Sequence, residues 1–458
     1  MRYCSALYAA HGYGNVTGGT GMKIIIAAAA ALMCAGCASV KSNGSAGIAR
    51  SGIKSVTTIA ESFGDGEKVS SVAIEFPKTI DAVSLSADDF TVAGREVSEV
   101  VTNDRAAIPS GASVRGKYVI VKLRYVNKWD ATDGKMPARL ERVQGEDEGN
   151  GPRFEDDGTP VDLSAIVTQT GEVRARDGTV YAADNVPRKN DASIELVIQD
   201  FKKNMFTDAE TGITLPYFVY LPDGYSEREK YPLVYFIPDA SADTSIDTAT
   251  LTQGNGATIW ATPEEQAKHK SIVVAVQYPL SVVKQYGALT TDDYVWTQGL
   301  TAVHNLLQHI IDTYAVDRNR IYGTGQSQGC MTNIALSDRY PDLFAAQYLV
   351  AGQWNVEEMA AMKDKKLWIV VCTGDTKAYP GFNAATALWE KLGSRVARNE
   401  TPWNSKAASS EIEADIDAIK AQNADINYTV FADGSHMYTW SFAYYLEGVR
   451  DWLFAQTK

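Results

Sequence analysis

The stretch "RIYGTGQSQGCM", Arg320 to Met331, determines how the second half of the chain folds. An apolar, strand-like run leads into a glycine-rich turn, and a helix pattern begins near Cys330. The turn carries the pattern G-x-S-x-G, with Ser327 between Gly325 and Gly329. This pattern also occurs in simple turns, but a strand before it and a helix after it favour a sharp turn that presents the serine hydroxyl at a helix N-terminus. We therefore predict that Ser327 is a nucleophile.

A nucleophilic serine needs a histidine base, and one histidine, His436, follows it in the chain. His11 lies near the N-terminus, and His269 precedes a strand at its amino end. His304 and His309 lie five residues apart on the helix before the turn, so they do not share one helix face and do not form a zinc pair. His11 belongs to the predicted leader, and His269, His304 and His309 are interpreted as solvated or core-edge side chains. His436, in the loop "ADGSHMYTW", is the predicted base.

The third catalytic group should be a carboxylate that orients the imidazole. The strand-like run "LWIVVCTGD" ends in Asp375, at the carboxyl edge where catalytic groups of open α/β sheets collect. Asp433, on the histidine loop, and Asp364, before the strand, are interpreted as solvated turn acids. The chain order Ser327, Asp375, His436 is that of α/β-hydrolases. This chemistry requires no metal and no cofactor.

An oxyanion hole requires two backbone N–H groups that point at the developing negative charge. Gln328, directly after the nucleophile, is predicted to supply one of them. The second should come from the loop after "YPLVYFI", where Pro238 has no N–H to donate. Ala240 is the candidate there, with Asp239 or Ser241 as alternatives.

The 458-residue chain is long enough for two folded domains after an N-terminal leader. Residues 51–200 contain short alternating strands such as "VSSVAIEF" and "KYVIVKLRYV", which predict an all-β sandwich; the charged, glycine-rich part at 130–158 is interpreted as surface loops. Residues 201–458 alternate buried strands with helix patterns, which predicts a doubly wound, mostly parallel α/β sheet. This second domain lacks the G-x-G-x-x-G and P-loop patterns, so nucleotide binding is not predicted.

Charge and cysteine content narrow the functional classes. The net charge of -13, spread along the chain, works against binding nucleic acid. No run of 18 apolar residues could span a bilayer. Only Cys330 and Cys372 lie in predicted folded sequence, and we expect two buried free thiols rather than a disulfide.

The N-terminal segment predicts export. After Met22, itself a possible start, a lysine and the apolar run "IIIAAAAALM" lead to "CAGC", which ends at Cys37. Residues 1–37 therefore resemble a leader with a bacterial lipoprotein signal, in which Cys37 is lipidated and anchors the protein in the cell envelope. The alternative is a plain signal peptide and a soluble periplasmic or secreted protein. Residues 38–50, rich in serine and glycine, are predicted to form a flexible tether. The lipid would be the only contact with a membrane.

Several blocks of the second domain together resemble a known group of proteins. The blocks are "LPYFVYLPDGY", "GATIWATPEEQAKH", "DRNRIYGTGQSQG", "YPDLFAAQYLVAGQW", "VCTGD" and "GSHMYTWSFAY". The chain resembles bacterial secreted esterases, often labelled predicted peptidases, that carry an immunoglobulin-like domain before an α/β-hydrolase domain and are related to feruloyl esterases and polyhydroxybutyrate depolymerases. It departs from their usual pattern at Pro238-Asp239 (His-Gly), Gln328 (Met) and Cys330 (Gly).

The resemblance and the triad together predict a serine hydrolase that cleaves short-chain acyl or aryl esters, of acetyl or feruloyl type, through an acyl-enzyme. The substrate would be a small ester or an ester linked to polysaccharide. The absence of a large lid insertion argues against a lipase. A serine peptidase of the same fold and a catalytically inactive, surface-anchored binding lipoprotein are the alternatives. The aromatic candidates for the pocket mouth are Trp260, Trp296, Trp354, Tyr438 and Trp440, although a core position is the favoured interpretation for each one taken singly.

Overall fold

The computed structural model describes residues 52–132, 134 and 159–458. The predicted leader, its lipidation site Cys37 and the tether at 38–50 lie outside the described residues, as does most of the segment 130–158. Export, lipidation and the surface-loop interpretation of that segment therefore stay predictions.

The first part of the chain is all β. Its strands are β1 (Ser55–Phe63), β2 (Gly66–Glu75), β3 (Phe90–Val92), β4 (Val97–Asn103), β5 (Tyr118–Leu123), β6 (Ile166–Gln169), β7 (Val173–Arg174), β8 (Val180–Tyr181), β9 (Arg188–Lys189) and β10 (Ala192–Glu195). They form a five-stranded sheet in the order β10-β1-β2-β5-β4, a three-stranded sheet β3-β6-β9 and a β7-β8 pair. Val72 and Ile74 of β2 share one apolar core with Phe90 and Val167 of the second sheet. Side chains alternate between the two faces of β2, and the apolar face thus points to the interior of the sandwich.

The second part is built on a nine-stranded sheet. Its strands are β11 (Lys202–Thr207), β12 (Thr214–Tyr220), β13 (Tyr231–Ile237), β14 (Ile272–Val276), β15 (Val316–Gln326), β16 (Ala346–Val350), β17 (Leu367–Cys372), β18 (Val396–Arg398) and β19 (Ile426–Phe431). Their order is β11-β12-β14-β13-β15-β16-β17-β19-β18. The pairs β11-β12 and β12-β14 are antiparallel, and every other pair is parallel. The carboxyl ends of the parallel strands therefore share one edge of the sheet.

Helices cover both faces of this sheet. They are α1 (Ala249–Thr252), α2 (Pro263–Lys268), α3 (Leu280–Tyr286), α4 (Gln298–Thr313), α5 (Gln328–Arg339), α6 (Ala378–Lys391), α7 (Ser409–Ala421), α8 (His436–Ala443) and α9 (Glu447–Phe454). Short 3-10 helices lie at Ala82–Ser84, Ala87–Asp89, Asp130–Thr132, Ile198–Asp200, Ala240–Ala242, Thr258–Ala261 and Glu358–Met362. Successive residues of β13 enter different cores, since Tyr235 packs with the face that carries α4 and Phe236 with the face that carries α9. The predicted fold class, an α/β sheet after an all-β sandwich, is confirmed.

Two further sequence expectations can be compared with the described residues. Cys330 and Cys372 are buried free thiols, as expected. None of the helices in the described ranges combines the length and the apolar character needed to span a bilayer.

A buried ion pair joins α2 to α9. The Nε of Arg450 donates to Oε2 of Glu265 at 2.8 Å, and the two side chains are 8% and 3% exposed. Arg450 also donates to the carbonyl oxygen of Tyr444 at 2.5 Å. The pair links the last helix of the chain to the helix before β14.

Loss of one partner of this pair should be costly, because the other charge stays buried without compensation. We predict that Arg450→Met lowers the free energy of unfolding by about 3 to 5 kcal/mol, measured by urea titration. The control is Arg318→Met, which removes an ion pair with Asp312 in which both side chains are mostly exposed; its cost should be at most about 1 kcal/mol. Equal, small losses in both variants would contradict the assigned role of the pair.

Candidate active site

Ser327 lies on a strained turn between β15 and α5. Its backbone has φ 51° and ψ -118°, a conformation that L-residues rarely adopt and that costs roughly 1 to 3 kcal/mol. The N–H of Ser327 donates to the carbonyl of Val350 at 3.1 Å, and its own carbonyl accepts from Met331 N–H at 2.9 Å. The neighbouring strand and the first turn of α5 thus hold the strained residue in place.

The turn also requires glycine directly after it. A Cβ atom added at Gly329 would lie 1.8 Å from the carbonyl oxygen of Ile237, the last residue of β13. Only a residue without a side chain lets the start of α5 come so close to the neighbouring strand. The second glycine of the G-x-S-x-G pattern therefore has a packing cause in this fold.

The three predicted catalytic side chains form one hydrogen-bonded chain. The Nε2 of His436 lies 2.8 Å from Oγ of Ser327, and its Nδ1 lies 2.5 Å from Oδ2 of Asp375. An ionised carboxylate can only accept, so Nδ1 carries the proton and Nε2 is left to accept from the serine hydroxyl. The loops after β15, β17 and β19 bring these residues together at the shared carboxyl edge of the sheet.

Asp375 is buried yet ionised. Burial raises the pKa of its carboxyl group, but the hydrogen bond and charge of His436 and the N–H groups of Ala378 and Lys377 outweigh it, so the pKa lies below its ordinary value. Those two N–H groups donate to Oδ1 at 2.9 and 3.0 Å. The carboxylate is therefore fixed on one side by the start of α6 and offers its other oxygen to the imidazole.

The loop after β13 is organised by Asp239, which directly follows Pro238. Its Oδ1 accepts the N–H of Ser241 at 2.8 Å, and its Oδ2 accepts from the side chain of Gln326 at 3.0 Å. The N–H of Ser241 is thus engaged. Ala240 begins the short 3-10 helix, and a first helical N–H has no acceptor within its own helix. This arrangement favours Ala240 over Ser241 as an oxyanion donor.

Gln328, the other oxyanion candidate, is tied to the same loop by its side chain. Its Nε2 donates to both carboxyl oxygens of Asp243, at 3.1 and 3.2 Å. Burial, together with the charge of Asp239, raises the pKa of Asp243 well above its ordinary value, against the lowering effect of Gln328. This direction favours the uncharged form of Asp243, which adds no negative charge beside the expected oxyanion. Sequence reasoning missed Asp243 and the linking role of Asp239, because both contacts cross from β13 to β15, which are not consecutive in the chain.

The predicted pocket aromatics divide into two groups. Trp440 meets the ring of His436 edge to face, with centroids 5.2 Å apart, and Tyr438 lies on the first turn of the same helix, α8. Trp354 lines a cavity described below. Three of the predictions need correction, and the contacts of Tyr438 are described with the all-β domain below. Trp260 is fully buried with its Nε1–H donating to the Gly256 carbonyl, so it is a core residue.

Trp296, the second correction, packs at the wrong end of α5. Its ring lies under the guanidinium of Arg339, 4.3 Å from the ring centroid, and 5.9 Å from the ring of Tyr340. Those residues end the helix that begins at Gln328. At about 1.5 Å of rise per residue, Trp296 is therefore separated from Ser327 by nearly the whole helix.

A cavity of about 540 Å³ opens near the loop that carries Asp375. It is lined by Asp292, Tyr294, Gln353, Trp354, Asn355, Val356, Lys377 and Gly381. Lys377 is the residue whose N–H holds Asp375, and Gln353 lies on the loop that follows β16. The cavity is thus formed by loops at the same edge of the sheet as the triad. Among the described residues, the Oε1 atom of Gln353 is buried without a hydrogen-bond partner.

One group of side chains elsewhere could hold a cation by proximity. Glu265, His269 and Asp451 have ligand atoms within 4.8 Å of one another. Glu265 is already paired with Arg450, and His269 Nε2 with Asp451 at 2.7 Å. His269 precedes β14, whereas Ser327 follows β15, so the group lies at the opposite edge of the parallel sheet from the triad.

Comparison with known proteins identifies the two parts of the chain. Residues 55–182 match the family model described as Esterase Ig-like N-terminal domain, and residues 209–427 match the Esterase family model. The crystal structure of a thermostable esterase is similar over 89% of this chain and 100% of its own, with 25% identity and a TM-score of 0.69. The protein therefore combines an esterase Ig-like domain with an Esterase-family domain and is a hydrolase of the esterase class, as the sequence blocks predicted.

A second solved structure and a search of curated proteins complete the comparison. A mutant of the feruloyl esterase module from Clostridium thermocellum, in complex with sinapinate, is similar over 56% of this chain and 88% of its own, with 13% identity and a TM-score of 0.39. No curated protein matches the chain.

The lowered pKa of Asp375 predicts the shape of the pH profile. Asp375 should be ionised throughout an assay range above about pH 5, since the ordinary pKa of an aspartate is about 3.9. Asp375 then adds no protonation step within that range, so log kcat/KM should rise on the acid side with a slope no greater than 1. A slope of 2 would show that a second group, such as Asp375, titrates there.

The depressed pKa of Asp375 also stabilises the fold above about pH 3.9, and this contribution to stability is lost as the pH falls through the folded-state pKa.

Proposed function

We propose that this esterase-class hydrolase cleaves carboxylic esters by nucleophilic catalysis, with Ser327 as nucleophile, His436 as general base and Asp375 as the group that orients the imidazole. The observation that carries the proposal is the placement of His436, within 2.8 Å of Oγ of Ser327 and 2.5 Å of the buried carboxylate of Asp375. The strained backbone of Ser327 supports it, since such strain is typical of nucleophiles on this kind of turn.

The proposed reaction has two halves. Oγ of Ser327 attacks the ester carbonyl carbon while its proton moves to Nε2 of His436, and the N–H groups of Gln328 and Ala240 donate to the carbonyl oxygen as it becomes negative. The tetrahedral intermediate collapses, the bond to the alcohol breaks, and His436 returns the proton to the leaving alkoxide. Water, deprotonated by the same imidazole, then attacks the acyl-enzyme; the bond between the acyl carbon and Oγ breaks, His436 returns the proton to Oγ of Ser327, and the acid is released.

The cavity near the loop that carries Asp375 supports small esters with a polar group as substrates. Its volume of about 540 Å³ suits a short acyl or aryl group, and Tyr294 and Trp354 provide aromatic faces. The unpartnered Oε1 of Gln353 is an acceptor for a hydroxyl on the substrate, because an unmade hydrogen bond at a buried oxygen is costly. Polysaccharide-linked esters outside the cell fit this description, and the lipidation predicted at Cys37 would place the enzyme where they occur.

The direct test is hydrolysis of para-nitrophenyl acetate, butyrate and octanoate, methyl ferulate and a peptide anilide by the wild type and Ser327→Ala. We expect ester turnover, fastest on short or aryl acyl groups, and a loss of at least about 10⁴-fold in kcat in the variant. The matched control is Ser337→Ala, which removes a buried hydroxyl from the same helix, one bonded to Gln347 rather than to His436.

The other outcomes separate the alternatives. Faster cleavage of the anilide than of the esters would favour a peptidase. A folded wild type that turns over no substrate would contradict the proposal and favour a binding lipoprotein.

A further inference from the structure

The all-β domain reaches the loop that carries the catalytic histidine. The carbonyl oxygen of Gly134 accepts the N–H of Ser435 at 2.8 Å. Ser435 directly precedes His436 and caps α8, since its side chain accepts the N–H of Tyr438. A backbone group of the first domain thus bonds the residue next to the proposed base.

The contact is closely packed as well as hydrogen-bonded. Gly134 has φ 77°, and a Cβ atom added there would lie 2.9 Å from the ring of Tyr438. The same ring covers Gly434, at 2.7 Å from a Cβ built there, two residues before His436. Tyr438 is 5% exposed and therefore fills the space between the two domains rather than the pocket mouth.

Gly134 is in turn held by a buried tryptophan. The N–H of Gly134 donates to the carbonyl of Trp129 at 2.9 Å. Trp129 comes from the all-β domain but is 3% exposed and belongs to the core that contains Tyr438 and Trp440. Trp440 is the residue whose ring meets His436 edge to face.

The residues that precede Trp129 and Gly134 in the chain are fixed to the turn between β1 and β2. Asp65 accepts the N–H of Lys128 at 2.7 Å and the hydroxyl of Tyr125 at 2.9 Å. The neighbouring Gly64 donates its N–H to the hydroxyl of Tyr445, just beyond α8, at 3.2 Å. The all-β domain therefore holds α8 near both of its ends.

We infer that the all-β domain completes the active site by positioning His436, and that Gly134 and Trp129 are positioning residues for the base. The inference rests on the function proposed above. His436 must meet two partners at once, Ser327 and Asp375, and a displacement of about 1 Å in such a group can lower a rate about 10²-fold. The cavity, in contrast, is lined by residues of the second domain only. Disturbing the contact should therefore lower kcat and leave KM nearly unchanged.

The test is Gly134→Ala, with Gly94→Ala as a matched control. Both glycines belong to the all-β domain and have positive φ, 77° and 69°, so both variants carry a similar backbone strain. Only the first adds a methyl group against Tyr438, since nothing lies within 4 Å of a Cβ atom at Gly94. We expect kcat of Gly134→Ala to fall about 10- to 100-fold, with KM within about twofold of the wild type, and kcat of Gly94→Ala to stay within about twofold.

Fluorophosphonate labelling distinguishes a displaced base from a partly unfolded protein. The label reacts with the serine through the same histidine. The labelling rate of Gly134→Ala should therefore fall by the same factor as its kcat, while the final extent of labelling should still reach one label per chain. Equal kcat in the two variants would overturn the inference. The inference would also be overturned if Gly134→Ala labelled at the wild-type rate but reached fewer than one label per chain. That result would mean that part of the protein is unfolded, not that the base is misplaced. Failure of the proposed function can be told apart from failure of this inference, because Ser327→Ala would then be as active as the wild type.

Discussion

The close approach of β13 to the start of α5 is the constraint on which the site depends. The carbonyl oxygen of Ile237 occupies the space that a side chain at residue 329 would need. With that contact made, α5 begins immediately after β15, and Ser327 must adopt a backbone conformation that an L-residue otherwise avoids. The packing of the buried sheet offsets the cost of this strain, since β15 lies between its neighbours β13 and β16. The serine hydroxyl is thereby presented at a helix N-terminus rather than folded into the turn.

The pKa values of two carboxyl groups near this turn, the buried Asp375 and the half-buried Asp243, are shifted in opposite directions by their surroundings. Asp375 keeps its charge because an imidazole and two backbone N–H groups compensate burial. Asp243 has the side chain of Gln328 as its main partner and the charge of Asp239 nearby, so burial dominates and raises its pKa. Asp375 lies behind the histidine, where its negative charge stabilises an imidazolium, and Asp243 lies beside the oxyanion loop, where its surroundings disfavour a negative charge. The site therefore separates its charges by local partners rather than by distance alone.

Sequence patterns could predict the fold class and the three side chains that form the hydrogen-bonded chain, because each rests on local or countable evidence. Ser327 stands in a recognisable turn, a single histidine follows it, and Asp375 ends a buried strand. The aromatic pocket was only partly predictable, because the position of a tryptophan in the chain does not show which face it joins. Trp260 lies in the core, and Trp296 packs beside Arg339 at the far end of α5. Of the five predicted aromatics, Trp354 is the one that lines the cavity. The contact between Gly134 and Ser435 joins two domains, and no periodicity or spacing in the sequence marks it.

Trapping the acyl-enzyme would show whether Ser327 carries the acyl group during turnover. The protein would be quenched in acid while it hydrolyses a slowly deacylating aryl ester, digested, and analysed by mass spectrometry. The account predicts one acyl group per chain, on the peptide that contains Ser327. An acyl group on another residue, or steady product release with no covalent adduct during an initial burst, would contradict it.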